Sequence, residues 1–285
     1  MPGVHRDTLD RYAAREPACR DASAGRARGA MTATGPVTLW CLPNAGAGAA
    51  AYAGWRRAAP AGLTIRPVEL PGRGTRIGQP LCESFDTLCD QLALELRQQR
   101  LLAESPRSRH ALFGHSMGAL IAYELAHRWQ GEGEPACALV VSGCPAPRLR
   151  DPDRFAGPLD DAALMDRLRA LDGTPPELLE HEEMMALTLP VLRADFRVCA
   201  SYRHRERALL RCPLHAFGGR SDRTVGGTIA GWGHETEGAF TLDWYDGGHF
   251  FLRDHAASML ARIGTQLGVS TAAAAGSAAV EVSAC

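Results

Sequence analysis

Gly114-His115-Ser116-Met117-Gly118 is the stretch whose reading decides the fold. A short apolar run, Ala111-Leu112-Phe113, precedes it, and residues 119–130 behind it carry a helical pattern. Strand, sharp turn and helix are the setting in which G-x-S-x-G carries chemistry. The flanking glycines have no Cβ, so neighbouring backbone can crowd the turn and Ser116 can take a strained conformation. The pattern predicts a Ser116 Oγ held clear of a sheet, within reach of a carbonyl carbon. A serine hydroxyl is a weak nucleophile at neutral pH. A base, an orienting acid and oxyanion donors must therefore come from elsewhere in the chain.

Working outward, strand and helix patterns alternate on both sides of this turn. Residues 37–42 read as a buried strand that ends in the small-residue loop Pro43-Asn44-Ala45-Gly46-Ala47-Gly48, with Tyr52, Trp55 and Arg56 opening a helix. A second strand spans 63–70, closed by Pro71-Gly72-Arg73-Gly74. Phe85, Leu88, Cys89, Leu92, Ala93 and Leu96 fall on one face of an amphipathic helix, a core-packing pattern. Ala119, Ala122 and Ala126 place small residues along one face of the helix after the elbow, and 137–142 is a further buried strand. Residues 213–217 and 240–245 are the last two strands, and Ala256, Met259, Leu260, Ile263 and Leu267 mark the closing helix. Alternation of this kind predicts an α/β protein with a mostly parallel central sheet flanked by helices.

Residues 147–210 break the rhythm. Leu164, Leu168 and Leu171 suit one short helix, Met184, Met185, Leu187 and Leu189 another, and Val191, Leu192, Phe196 and Cys199 a third, with Pro190 starting or kinking one of them. An inserted helical block of this length over the carboxyl edge of a sheet predicts a lid. Ordinary crossover packing is the plainer alternative.

Asp222 and His249 each follow a strand end, which places them on the same rim as Ser116. Their chain order, Ser then Asp then His, is that of an α/β-hydrolase. Of ten histidines, His115 lies in the elbow with its side chain expected to point away from Ser116, and His215 is mid-strand. His181, His204, His234 and His255 follow no strand end, so His249 is the candidate base. Asp222 outranks Asp243, which alternates within a strand, and Asp246, which is too close to His249 in sequence; Asp254 reads as a charge at a helix start. The oxyanion hole needs two donors. The candidates are the amides of Met117, directly after the nucleophile, and Ala45, in the loop after the first strand.

Composition narrows the chemistry. All 31 basic residues are arginine. The absence of lysine excludes Schiff-base chemistry, a Ser-Lys dyad and a Walker-type phosphate lysine. Net charge is −1, which gives no reason to expect nucleic acid or an anionic membrane as partner. No apolar run approaches the roughly 18 residues of a membrane span. Nine scattered cysteines without a C-x-x-C pair read as free thiols of a reducing cytoplasm. Residues 1–35 read as a disordered extension, or as an artefact with Met31 as the true start. Residues 269–285, rich in Ala, Ser and Gly, read as a disordered tail. The domain is then 36–268.

With these residues in place, the chain resembles the type II, stand-alone editing thioesterases of polyketide and non-ribosomal peptide assembly lines. The resemblance runs from about Val37 to Leu267. It rests on Leu42-Pro43-Asn44-Ala45-Gly46, Glu69-Leu70-Pro71-Gly72-Arg73-Gly74, Phe113-Gly114-His115-Ser116-Met117-Gly118 and Gly247-Gly248-His249-Phe250-Phe251-Leu252. In the inserted block it rests on Leu171-Asp172-Gly173-Thr174-Pro175-Pro176 and Leu189-Pro190-Val191-Leu192-Arg193-Ala194-Asp195-Phe196. The family usually has His at the place of Asn44 and a glycine pair at Gly46-Ala47; the donors there are backbone, so the hole should survive while hydration or acyl preference shifts. The resemblance implies a cytoplasmic monomer without cofactor that hydrolyses acyl groups from the phosphopantetheine arm of acyl or peptidyl carrier domains. Ser116 would attack, His249 would take its proton, and water would release the acid. Arg148, Arg150 and Arg154, at the start of the block, are candidate contacts to an acidic carrier. A small-molecule carboxylesterase or acyltransferase on the same fold, or a non-catalytic binding partner, are the competing readings.

Overall fold

The computed structural model describes residues 35–102, 109–155, 157–171 and 173–269. The expected extension at 1–35 and tail at 269–285 lie outside these residues, apart from Gly35 and Val269. Six strands form one sheet: β1 (Val37–Leu42), β2 (Leu63–Pro67), β3 (Arg109–His115), β4 (Ala138–Ser142), β5 (Leu214–Gly219) and β6 (Phe240–Tyr245). Their order is β2-β1-β3-β4-β5-β6 and every pairing is parallel. The chain crosses from β2 over β1 to β3, so the loops after β1 and β3 splay apart there. In such sheets the crevice at the carboxyl ends of the strands, beside this switch point, is where ligands bind.

The strands form because both faces of the sheet are covered, which favours near-continuous apolar runs. Alternate residues serve opposite cores. Leu39, Cys41, Ala111, Phe113 and Val140 face one, with Trp55 of α1 (Trp55–Ala58) and Met259, Leu260 and Ile263 of α7 (Ala256–Gln266). Trp40, Leu42, Leu112, Leu139 and Val141 face the other, with α2 (Phe85–Leu101) and α3 (Met117–Gly131). Ser84 caps α2, its hydroxyl accepting from Thr87 N–H at 3.4 Å. Ala119, Ala122 and Ala126 are buried, and α3 lies against β3 and β4 as the small-residue face predicts.

Three local readings need correction. The second strand ends at Pro67 rather than at residue 70, with Val68 N–H beyond it still donating to Cys41 O at 2.9 Å. The helix expected from Tyr52 is a 3₁₀ turn, Ala49–Tyr52, and the four-residue α1. The two helices expected around Pro190 are one twenty-residue helix. Between β4 and β5 lie α4 (Asp161–Leu171), α5 (Pro176–Leu179) and α6 (Glu182–Ser201), with Pro190 inside α6. Proline removes one donor from the ladder. The buried stripe Met185, Leu189, Leu192 and Phe196 runs across that point and packs with Leu164 of α4 into a small core of its own. Tertiary packing carries the helix through its weak residue. The sequence reading also passed over a ten-residue 3₁₀ segment, Gly226–Glu235.

Candidate active site

β3 ends at His115 and α3 starts at Met117, which leaves Ser116 alone at the corner. Its backbone sits at φ 55°, ψ −116°, and it is the only non-glycine with positive φ among the described residues. Such a conformation costs on the order of 1–3 kcal/mol and persists only where surroundings enforce it. Here Ser116 N–H donates to Ser142 O at 2.8 Å, and Ser116 O accepts from Ala119 N–H at 3.0 Å. Gly118 lets the loop after β1 rest on the first turn of α3: a Cβ there would lie 2.2 Å from Leu42 O.

Asp222 and His249 come from the neighbouring rim loops, after β5 and β6. Gly219 allows those loops to meet, since a Cβ on it would lie 2.4 Å from Gly248 O. His249 Nδ1–H donates to Asp222 Oδ2 at 2.8 Å, and both side chains are buried. Asp222 Oδ1 accepts from Thr224 N–H at 2.8 Å. Burial of Asp222 favours its neutral form, but the bonds from His249 and Thr224 outweigh it and hold the carboxyl below its ordinary range. With Nδ1 committed to the carboxylate, Nε2 of His249 carries the lone pair, the tautomer a general base needs.

Two further groups touch this imidazole. Thr224 Oγ1 lies 3.1 Å from His249 Nδ1 as a second acceptor. His115 belongs to the end of β3 rather than to the turn. It is fully buried, bonded to Ser142 Oγ at 3.0 Å, with its ring centroid 4.9 Å from that of His249. Burial first, and the neighbouring His249 second, hold the His115 imidazole well below the ordinary histidine range, so it backs the other ring as a neutral group. Three of the other candidates have partners elsewhere, while Asp254 falls before the first turn of α7 rather than in it. His215 bonds Thr241 Oγ1 at 2.8 Å within the sheet, Asp243 pairs with Arg262, and Asp246 pairs with Arg220 at the surface.

Ser116 and His249 line one cavity of about 290 Å³. Met117, Leu120, Leu149 and Val225 give it apolar walls. Cys144 and Cys199 also line it, but burial pushes both thiols up to about 12, so neither offers a thiolate as a rival nucleophile. The seven described cysteines are all free. Among the arginines expected to face a partner, Arg150 and Arg154 line the cavity together with Arg223. Arg150 Nη2 donates to Cys199 O at 3.2 Å and Arg154 Nη1 to Thr224 O at 3.0 Å. Arg148 is instead tied to the buried Glu235, at 3.3 Å.

Met117 N–H is one of the orphan donors at a helix start. Ala45 is the first corner of a turn over residues 44–47, closed by Ala47 N–H to Asn44 O at 3.1 Å. Gly46 follows at φ +79°, the value a type II turn requires at its second corner. Among the described residues neither the Met117 nor the Ala45 N–H has an acceptor within the chain. A strained serine corner, an imidazole held by a carboxylate, and two unspent amides at one sheet edge form a constellation suited to acyl transfer.

The sequence passed over Thr224, His115 as a neighbour of His249, and a buried pair, Arg73 and Asp195, described below. Among the described residues, no helix is long and apolar enough to cross a membrane. The family described as Thioesterase domain matches residues 37–267. The chain is 36% identical over 244 residues to the linear gramicidin dehydrogenase LgrE of Brevibacillus parabrevis, covering 83% of this chain and 90% of that one. It is 37% identical over 223 residues to the thioesterase PikA5 of Streptomyces venezuelae, covering 76% of each. The structure of the type II thioesterase BorB from the borrelidin biosynthetic cluster superposes with a TM-score of 0.72 at 37% identity, over 81% of this chain and 93% of that one. A chain with this match along its whole sheet, and with these neighbours, belongs to the thioesterase domain family.

Proposed function

We propose that this chain releases acyl groups from the phosphopantetheine arm of carrier domains in polyketide or non-ribosomal peptide assembly, through an acyl-enzyme on Ser116. The observation that carries the reading is the His249–Asp222 bond of 2.8 Å beside the strained Ser116, in a chain of thioesterase family. Nε2 of His249 takes the Ser116 proton as Oγ attacks the thioester carbon. Charge gathers on the carbonyl oxygen, which accepts from the N–H groups of Met117 and Ala45. The carbon–sulfur bond breaks, and the thiolate, a good leaving group, needs little protonation. Water then loses a proton to His249 and attacks the acyl-enzyme, Ser116 recovers its proton, and the acid departs.

No cofactor takes part in this scheme, because phosphopantetheine belongs to the substrate. The helical block supplies Leu149, Arg150, Phe155 and Cys199 to the cavity and serves as its lid. Arg154 and Arg223, both exposed at the cavity, suit an acidic carrier, and the protein works as a monomer in the cytoplasm. The dehydrogenase name of LgrE raises a second reading, since Gly46 and Gly48 follow β1 as the glycines of a dinucleotide loop would. Gly46 N–H, however, already donates to the carboxylate of Asp195 at 2.7 Å, where a pyrophosphate would meet a like charge. The test is hydrolysis of acyl groups from a carrier by the wild type and by Ser116→Ala. Loss of activity in the variant is expected. A preference for oxygen esters over thioesters, or full deacylation by Ser116→Ala, would defeat the proposal.

A further inference from the structure

Asp195 and Arg73 form a buried pair that the acyl-transfer scheme does not use. Arg73 lies in the loop after β2, Asp195 on α6 of the helical block, 122 residues apart. The pair is bidentate, with Arg73 Nη1 to Asp195 Oδ2 at 2.6 Å and Nη2 to Oδ1 at 2.7 Å. Asp195 is 1% exposed and Arg73 7%. A buried ion pair is a poor source of stability, since apolar residues of similar volume often serve as well or better. Its remaining bonds point to a different task.

Both members reach the turn that bears Ala45. Asp195 Oδ2 accepts from Gly46 N–H at 2.7 Å, and Arg73 Nη1 donates to Ala47 O at 3.0 Å. On the other side Asn44 Nδ2 donates to Ala45 O at 3.0 Å. The peptide joining Ala45 to Gly46 is therefore held at both ends, its oxygen by Asn44 and its N–H by Asp195. Peptides of this kind, at the centre of a type II turn, can rotate to give a type I turn. The clamp opposes that rotation and fixes where the turn sits over α3. Ala45 N–H, at the first corner, is fixed with it.

We infer that Asp195 is a positioning residue for the Ala45 oxyanion donor, acting through Gly46 N–H from the helical block. The inference rests on the proposal that Ser116 is the nucleophile and Ala45 N–H a donor to its oxyanion. Interactions made only in the transition state alter kcat and leave KM. Loss of a whole oxyanion donor costs about 10²- to 10³-fold in kcat, so a displaced donor should cost about 10- to 100-fold.

The experiment compares two double variants of the full chain, Arg73→Met/Asp195→Asn and Arg73→Met/Asp195→Leu. Both lack the charges, and Asn and Leu are close in shape, but only Asn keeps an acceptor for Gly46 N–H. Three readouts are taken: kcat and KM on a short acyl thioester, the rate of Ser116 labelling by a fluorophosphonate, and thermal unfolding. The Asn variant should stay within about 3-fold of wild type in kcat, and the Leu variant should fall about 10- to 100-fold in kcat and labelling rate with KM unchanged. Equal kcat in the two variants, or a loss confined to KM, would overturn the inference. So would a kcat of the folded Asn variant more than 10-fold below wild type, a comparison that stands even if the Leu variant does not fold. Labelling needs no thioester. A wild type that labels at Ser116 but spares thioesters would sink the proposed substrate while leaving the clamp to be judged on labelling, whereas no labelling of Ser116 at all would overturn both.

Discussion

Replacing Gly118 by alanine sets two physical effects against each other. Gly118 is the second residue of α3, and on helix propensity alone alanine should stabilise by at most about 1 kcal/mol. Packing runs the other way. The added Cβ would lie 2.2 Å from Leu42 O and 2.7 Å from Pro43 O. Carbon and oxygen rest no closer than about 3.3 Å, so the end of β1 and the start of α3 must part by about 1 Å. Both neighbours are backbone and cannot swing aside as a side chain could. Overpacking of this kind costs about 1–3 kcal/mol, which cancels or exceeds the propensity gain. The catalytic consequence is larger, because the same gap separates Met117 N–H on one side from Ala45 N–H on the other. A misplacement of about 1 Å can cost about 100-fold in rate. Gly118→Ala should therefore melt cooperatively, up to about 2 kcal/mol less stable, with kcat down about 100-fold and KM little changed. Steady-state hydrolysis of a short acyl thioester, with thermal unfolding alongside, makes the measurement. A kcat within about 3-fold of wild type would show that the two donors do not depend on this contact.

Other outcomes follow from single contacts. Thr224→Val removes the acceptor 3.1 Å from His249 Nδ1 and should lower kcat about 5-fold, the worth of one hydrogen bond, while Asp222→Asn costs orders of magnitude more; equal losses in the two variants would contradict this ranking. His215 is 4% exposed, and burial lowers its pKa to about 4. Its folded pKa lies below the unfolded value near 6.5, so its stabilising share is full above pH 6.5 and is lost as pH falls toward 4. His215→Gln should lessen the stability lost between pH 7 and pH 5 by about 2 kcal/mol in urea unfolding, and an unchanged loss would refute it. Pro190→Ala restores a donor at an exposed position inside α6 and should raise stability by about 1–3 kcal/mol, a Tm gain of several degrees; a lower Tm would mean that the proline kink is part of the packing.

Val37–Leu42 was legible because a strand covered on both faces is a nearly unbroken apolar run, whereas Phe240–Tyr245, a half-buried edge strand, was legible from polar residues alternating with apolar ones; both fall on the residues expected. Ser116, Asp222 and His249 were legible for a related reason. Each follows a strand end, and parallel strands gather all such ends on one rim. What escaped depends on partners far apart in the chain. Arg73 and Asp195 stand in two of the motifs that carry the family resemblance, yet no local pattern says that they meet. Thr224 is two residues from Asp222, but its hydroxyl matters only because His249 lies across from it. The continuity of α6 through Pro190 is set by Leu164 and Phe196 rather than by propensity. The segment Gly226–Glu235 has four glycines and no helical or strand period, so nothing in it announces a 3₁₀ run.

The Asp195–Arg73 pair also bears on recombination among related chains. It joins a helix of the inserted block to a loop that precedes that block by some seventy residues, and both reach the turn after β1. A chimera that imports a foreign block between β4 and β5 to widen acyl range would bring a new α6 against an old Arg73. Donor blocks should be chosen for an acidic residue at the position of Asp195, or exchanged together with the loop after β2.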